Sequence, residues 1–371
     1  MSEGWKEFAP YLKALARGPD SLADLEPEVA EEATDLILRG VASPAQIAGF
    51  FLIGRAKGNG ASELAAISRA MRRFCRPMEA PPGPPPVVTV TGGFDGKTRT
   101  FNVGAAASIV AAAAGGRILA LGGEDVPPKA GWTNFDALRN LGVEAPHTLE
   151  EVSGSLREHG FAATSPEHYL PELHRLLQLR REMVRRTALN VCEKLVSPVP
   201  RSRIMVGMTH RHPFLKTIPE ALVGLGVDRA LVFQAIEGSD EAPLDGNSAL
   251  VWVRNGEIEE FRIPPGSLGL PRATRTCVPW KGPEDEARHL LRVLNGEEGP
   301  VGDLILYNAA LRLWVADDGT PLEEHLEKGR ETLLSGDAWG LLERLRRPVN
   351  HQLSALRRQL PPGRRVPVAR D

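Results

Sequence analysis

The chain has 371 residues, 42% of them hydrophobic and 25% charged, which predicts a packed globule of about two domains and excludes general disorder. Its 45 basic and 47 acidic residues leave a net charge of −2, so a uniformly basic nucleic-acid coat is excluded. The few aromatics exclude a broad base-stacking platform. Three separated cysteines, Cys75, Cys192 and Cys277, supply neither a disulfide framework nor a CxxC zinc site. No apolar signal core opens the chain and no apolar run approaches the roughly 20 residues of a membrane span. A reducing, cytoplasmic location without membrane contact is expected.

Residues 5–75 read as four helices. Trp5, Phe8, Leu12 and Leu15 recur at helical spacing, Pro27-Glu28 opens a segment that Gly40 closes, Ser43-Pro44 opens the next, and Ala61 to Phe74 forms the fourth. Six prolines in residues 77–86 exclude helix and central strand, so this stretch reads as a linker. The pattern then changes. Short apolar runs at Val87–Val90, Arg117–Leu121, Ile204–Met208, Ala230–Gln234, Ala249–Val253 and Glu259–Ile263 alternate with helical stretches at Ala105–Ala114, Phe135–Leu141, Tyr169–Leu195, Phe214–Leu225 and Glu284–Asn295. Alternation of this kind predicts an α/β sheet, mostly parallel. Val301–Leu313 and Leu322–Arg346 read as two closing helices. The resulting division is an N-terminal helical subdomain over 1–80, joined by helices from about 166–195, a larger α/β domain over 87–346, and a tail over 347–371. From Arg344 onward eight arginines face one acid, a net of +7 that leaves −9 on the rest of the chain. This end reads as a solvated face or as an anion-binding arm.

Four constellations carry chemistry. The loop Thr91-Gly92-Gly93-Phe94-Asp95-Gly96 lies between a strand and a Gly/Ala-rich helix, where backbone N–H groups can cradle a phosphate; it reads equally as a tight strand-to-helix turn. Glu237-Gly238-Ser239-Asp240-Glu241 follows a strand end, where α/β sheets gather ligands. Its adjacent acids Asp240 and Glu241 are hard oxygen ligands of the kind Mg²⁺ takes, or a solvated loop. Arg175, Arg180, Arg181, Arg185 and Arg186 mark one helix as an anion-binding or a wet face. His210 and His212 lack a visible third metal ligand, and His168, at a loop-to-helix junction, reads locally as a cap. No Ser–His–Asp triad can be assembled, and no catalytic residue is assigned.

In this order the pieces resemble the anthranilate phosphoribosyltransferase family, which shares its fold with the pyrimidine nucleoside phosphorylases. The family's glycine-rich GTGGDG loop and TFN segment are matched by Thr91–Gly96, with Phe94 as an extra residue, and by Thr100-Phe101-Asn102. Its RRELGxRTxxN helix is matched by Arg180 to Asn190, its GxDE turn by Gly238-Ser239-Asp240-Glu241, and its YNAA helix by Tyr307-Asn308-Ala309-Ala310. The resemblance implies sugar-diphosphate contacts from Thr91, Gly92, Gly93, Asp95, Gly96, Asn102 and Lys129, acceptor contacts from His168 and Arg180, Mg²⁺ on Asp240 and Glu241, and a homodimer through the helical subdomain. The family's KHGNR segment is replaced by Ala120-Leu121-Gly122-Gly123-Glu124, with Asp125 following, and Gly104-Ala105 stand where hydroxyls follow TFN. The expected function is therefore a phosphoribosyltransferase-like glycosyltransferase that binds a sugar phosphate such as phosphoribosyl diphosphate with Mg²⁺ and takes an acceptor other than anthranilate. The alternative is a non-enzymatic member of the family that binds nucleic acid; separately, any weak nucleic-acid binding is expected through the basic tail.

Overall fold

The computed structural model describes residues 4–16, 22–208, 213–246, 249–264, 266–271, 275–317 and 319–346. His210, His212 and the basic tail over 347–371 lie outside the described residues. Among the described residues no helix is long and apolar enough to cross a membrane.

Seven strands form one sheet: β1 (Val87–Thr91), β2 (Arg117–Leu121), β3 (Phe161–Thr164), β4 (Arg203–Met208), β5 (Arg229–Gln234), β6 (Leu250–Arg254) and β7 (Glu257–Phe261). Their order is β3-β2-β1-β4-β5-β6-β7. The first five pair in parallel, and β5–β6 and β6–β7 are antiparallel. The β6–β7 hairpin turns on Asn255-Gly256, both with positive φ of 49° and 87°, the dipeptide that a two-residue turn of the right twist prefers. That sequence signal marks the antiparallel edge on an otherwise parallel sheet. The sequence reading passes over β3 because Phe161-Ala162-Ala163-Thr164 is short and small-sided.

Alternate strand residues enter two cores, as a period of two requires. Val88, Val90, Ile118, Met205, Leu231 and Trp252 face helices Gly104–Ala113, Pro283–Leu294 and Pro300–Ala316. Val87, Leu119, Ile204, Val206, Val232 and Val251 face the opposite side, in one core with the helices Gly4–Leu15, Pro27–Leu38, Pro44–Lys57, Ala61–Phe74 and Phe214–Gly224. The helix starts follow local chemistry. Ser43 and Gln46 form a reciprocal capping box ahead of Pro44, and Thr148 with Glu151 does the same for Leu149–His159.

The single helix expected over Tyr169–Leu195 is broken into Pro166–Tyr169, Pro171–His174, Leu177–Met183 and Ala188–Cys192. Pro171 starts a new turn, and Val184 adopts φ 58° before Thr187 caps the next helix. A branched residue in that left-handed region is strained. Likewise Leu322–Arg346 divides into Leu322–Leu334 and Asp337–Leu345 at Gly336, φ 83°. The broken segment ties the helices to the sheet. The Arg175 guanidinium donates to the terminal carbonyls of Ile37, at 3.2 Å, and Leu38, and Arg55 donates to the Arg186 carbonyl at 2.6 Å.

Candidate functional site

Parallel pairing brings the carboxyl ends of β1, β2, β4 and β5 to one edge, with the reversal of strand order between β1 and β4. Open α/β sheets place ligands at such a switch point. The glycine loop after β1 and the acidic turn after β5 do meet there, and they meet backbone to backbone. A Cβ on Gly92 would lie 2.3 Å from the Asp240 nitrogen, and one on Gly96, φ 73°, would lie 2.3 Å from the Gly131 carbonyl oxygen. The glycines therefore serve close packing of protein on protein. Thr91 Oγ1 is buried and donates to the Lys194 carbonyl at 3.1 Å. The extra residue Phe94 is buried in the core shared with the helices. Gly93 lies over the Gly238 carbonyl, and Asp95 Oδ2 accepts from Arg186 Nε at 2.9 Å and Nη2 at 2.6 Å.

Asp240 is 3% exposed and Glu241 0%. Asp240 Oδ2 accepts from Arg312 Nη2 at 2.6 Å, and Oδ1 accepts from Asn134 Nδ2. Glu241 Oε1 accepts the backbone N–H groups of Val103 and Gly104 at 2.8 and 2.9 Å, while Oε2 pairs with the Lys97 ammonium. Lys97 also donates to the Phe101 carbonyl at 2.6 Å. Asn308 clamps the next residue, accepting from Ala242 N at 2.8 Å and donating to its carbonyl at 2.9 Å. Gly104 permits the arrangement, since a Cβ there would lie 2.6 Å from Asp240 Oδ1. All four carboxylate oxygens thus have protein donors, and two buried cations balance the two charges. Mg²⁺ demands near-ideal octahedral oxygen ligands; Asp240 and Glu241 do not fit it as they stand. The expectation that they are free to hold a metal meets Lys97 and Arg312 in the place where the cation belongs. No set of three or more metal-ligating side chains occurs among the described residues.

The gap enclosed by Gly92, Gly93, Lys97, Asn102, Gly122, Asn134 and Asp240 measures about 20 Å³, roughly the room of one water. Asn102 is held by protein partners at its wall. Its N–H donates to Glu286 Oε1 at 2.7 Å and its Nδ2 to the Trp132 carbonyl at 3.2 Å. Trp132 Nε1 donates to Glu286 Oε2 at 2.5 Å. Burial raises the Glu286 carboxyl to about 7, against lowering by the Asn102 and Trp132 hydrogen bonds and by Lys97. The folded protein holds this proton between pH 4.5 and 7, where the unfolded chain has released it. Glu286 therefore makes stability fall as pH rises through that window and adds no further slope above it. The loss is on the order of 3 kcal/mol. Glu286→Gln should lose correspondingly less stability between pH 5 and pH 8 in chemical denaturation; equal pH dependence of the two proteins overturns the assignment.

Both acids of the substituted segment after β2 are ion-paired. Glu124 pairs with Arg139, and Asp125 with Arg181 at 2.7 Å. Lys129 is half-buried; desolvation lowers its ammonium pKa, and Asp95 partly restores it. Glu237, absent from the expected site, accepts from Thr100 Oγ1 at 2.7 Å and from the Thr98 and Arg99 N–H groups at 3.3 and 3.1 Å. Burial raises its carboxyl, and these bonds outweigh burial and hold it below its ordinary value.

Two cavities flank the loop. One of about 460 Å³ brings His168 and Arg180 together with Glu124, Arg139 and His147. Arg180 is not open to an acceptor, because both of its terminal nitrogens donate to buried Glu193 at 2.8 Å. The other, of about 550 Å³, opens between the helices and the ends of β1 and β4. Arg55, Arg185, Arg186 and Lys194 line it against Asp95 and Glu193. Burial lowers the Lys194 ammonium to about 8, and its Nζ donates to the Gly207 carbonyl at 3.0 Å. Lys97, Arg312, Glu286 and Lys194 are the site residues that sequence reading misses. A lone charge within the apolar stretch 304–316 is the one signal for Arg312.

Residues 87–339 match the family described as glycosyl transferase family, a/b domain, and residues 9–75 match its helical bundle domain. The chain is 34% identical over 325 residues to anthranilate phosphoribosyltransferase of Novosphingobium aromaticivorans, covering 87% of this chain and 96% of that protein. It is 32% identical over 349 residues to the Symbiobacterium thermophilum protein of the same name, covering 93% and 99%. Anthranilate phosphoribosyltransferase from Thermus thermophilus superposes with a TM-score of 0.76 at 29% identity, over 96% of this chain and 100% of that one. The Saccharomyces cerevisiae enzyme in complex with PRPP and Mg shares the fold, with a TM-score of 0.77 at 21% identity over 93% and 97%.

Proposed function

The chain belongs to the anthranilate phosphoribosyltransferase family of glycosyl transferases, and from that premise we propose that it binds a phosphorylated sugar without a divalent cation and transfers the sugar to an acceptor other than anthranilate. The observation that carries this reading is the pairing of the buried Asp240 and Glu241 carboxylates with the Arg312 and Lys97 cations. Room for the sugar phosphate is offered by the 550 Å³ cleft at the switch point. Transfer of this type passes through a ribosyl cation-like transition state, and the protein mainly positions reactants and stabilises the departing phosphate. Arg185 supplies positive charge for that anion, with Arg186, shared with Asp95, and Lys194 beside it. The paired state of Arg180 and the lost KHGNR segment leave His168 as the one residue expected to contact the acceptor that still faces an open cavity.

Thermal melting with phosphoribosyl diphosphate tests this, because a ligand that binds only the folded state raises the melting temperature. The expected result is an equal rise in EDTA and in Mg²⁺, with no consumption of anthranilate. A rise that requires Mg²⁺, or turnover of anthranilate, overturns the proposal. The 20 Å³ gap, too small for a diphosphate, favours a second, non-enzymatic reading, in which the chain binds nucleic acid. Deleting residues 347–371 should abolish weak nucleic-acid binding by the tail; binding that survives the deletion lies in the body of the chain and favours the second reading.

A further inference from the structure

The cleft at the switch point also holds an amine. Lys194 follows the short helix Ala188–Cys192 and is 7% exposed. Both of its ends are fixed where the strand order reverses. Thr91, the last residue of β1, donates through Oγ1 to the Lys194 carbonyl at 3.1 Å, and Lys194 Nζ donates to the Gly207 carbonyl, near the end of β4, at 3.0 Å. The Met208 sulfur lies 3.9 Å from the same nitrogen. An ammonium has three protons to place, and these two contacts leave one over. Among the described residues Lys194 makes no ion pair, since Asp95 is engaged by Arg186 and Glu193 by Arg180. A buried charge in that state is costly, and a lysine sheds it by giving up its proton. Burial lowers this ammonium to about 8, with Asp95 opposing and Arg186 adding to the effect, so about a tenth of it is free amine at pH 7.

The walls around that amine are of two kinds. Leu64, Phe94, Val191 and Met208 are apolar, while Arg55 and Arg185 add positive charge with no carboxylate partner among the described residues. Arg185 follows Val184, whose φ of 58° is an outlier of the kind that gathers at ligand sites. The cavity of about 550 Å³ suits a small organic ligand. A lysine desolvated beside other cations is the form in which this side chain attacks carbonyl groups, and guanidinium forks hold phosphate oxygens. We propose that Lys194 forms an imine with a small phosphorylated aldehyde, the open-chain form of an aldose phosphate included, whose phosphate Arg185 receives. The amine nitrogen adds to the carbonyl carbon, and the carbonyl oxygen leaves as water with the two amine protons, so neither oxidant nor reductant is consumed. The inference rests on the sugar-phosphate reading of the cleft for the place of the phosphate; the amine stands independently of it.

Pyridoxal 5′-phosphate, a phosphorylated aldehyde whose imine absorbs visible light, is the probe. The full chain should form a near-stoichiometric adduct at neutral pH. After borohydride reduction, peptide mass mapping should place it on Lys194 ahead of the eight other lysines. Pyridoxal without its phosphate, and Arg185→Ala with the phosphorylated probe, should each need about tenfold more reagent. Lys194→Arg keeps the charge and should lose the adduct; if that variant does not fold, mapping on the parent decides. Label spread over the other lysines with none on Lys194, or the same adduct in Lys194→Arg, overturns the inference. Phosphoribosyl diphosphate has no free carbonyl and should protect Lys194 in EDTA. An adduct on Lys194 that it does not protect counts against the proposed function and leaves the imine in place. Melting raised by phosphoribosyl diphosphate, with no adduct on Lys194, does the reverse.

Discussion

Arg312→Met is expected to destabilise the folded protein by about 3–5 kcal/mol, because it leaves a buried carboxylate without its counter-charge. Arg312 is fully buried and donates to Asp240 Oδ2 at 2.6 Å, to Ser108 Oγ at 3.0 Å and to the Asn308 carbonyl at 2.9 Å. Burial lowers its own pKa, and Asp240 and Glu241 hold it up. Adding Asp240→Asn should recover part of the loss, since the uncompensated charge then goes too. Lys97→Met should act alike on Glu241. The two single variants also acquire what the parent lacks, an unbalanced pair of oxygen ligands. Mg²⁺ should therefore raise their denaturation midpoints and leave the parent's unchanged. A parent that Mg²⁺ stabilises as strongly as the variants would show that the two cations do not fill the metal position.

Gly207→Ala is expected to lose about 3 kcal/mol, in the manner of an overpacked core. A Cβ at this interior position of β4 would lie 1.6 Å from the Ser239 carbonyl oxygen and 2.7 Å from its carbon. The obstacle is backbone, so no side-chain rotation relieves it. The turn before Asp240 must move, and its movement pulls Asp240 from Arg312. Chemical denaturation measures the loss. A variant within about 0.5 kcal/mol of the parent would mean the turn is not fixed against β4.

Much of the architecture was legible because it follows from local pattern. The β-branched runs at Val87 and Arg203, the prolines of 77–86 and the Ser43-Pro44 start each fix an element by short-range chemistry. Breaks set by backbone strain were not legible from periodicity; the one hint of the positive φ at Val184 is that it stands at the glycine of the RRELGxRTxxN motif. In the site, Asp240 and Glu241 were legible as an unusual acidic pair, and their partners were not. Lys97 and Arg312 lie far from them in sequence, and an ion pair made by folding leaves no spacing to read. Gly92 and Gly104 carry the same lesson. A glycine beside a phosphate-type loop suggests room for a ligand, yet here the missing Cβ admits Asp240 and its turn.

The two internal ion pairs also restrict how such a sequence can change over generations. Exchanging either cation for a neutral residue, one substitution at a time, passes through a form with a naked buried carboxylate, several kcal/mol less stable. Natural domains hold only about 5–15 kcal/mol in reserve, so that intermediate is exposed to loss. A metal ion from solution that filled the gap would bridge it. The route between a metal-holding ancestor and a self-neutralised descendant is thus open mainly where divalent cations are plentiful, and in their absence the arrangement behaves as a ratchet.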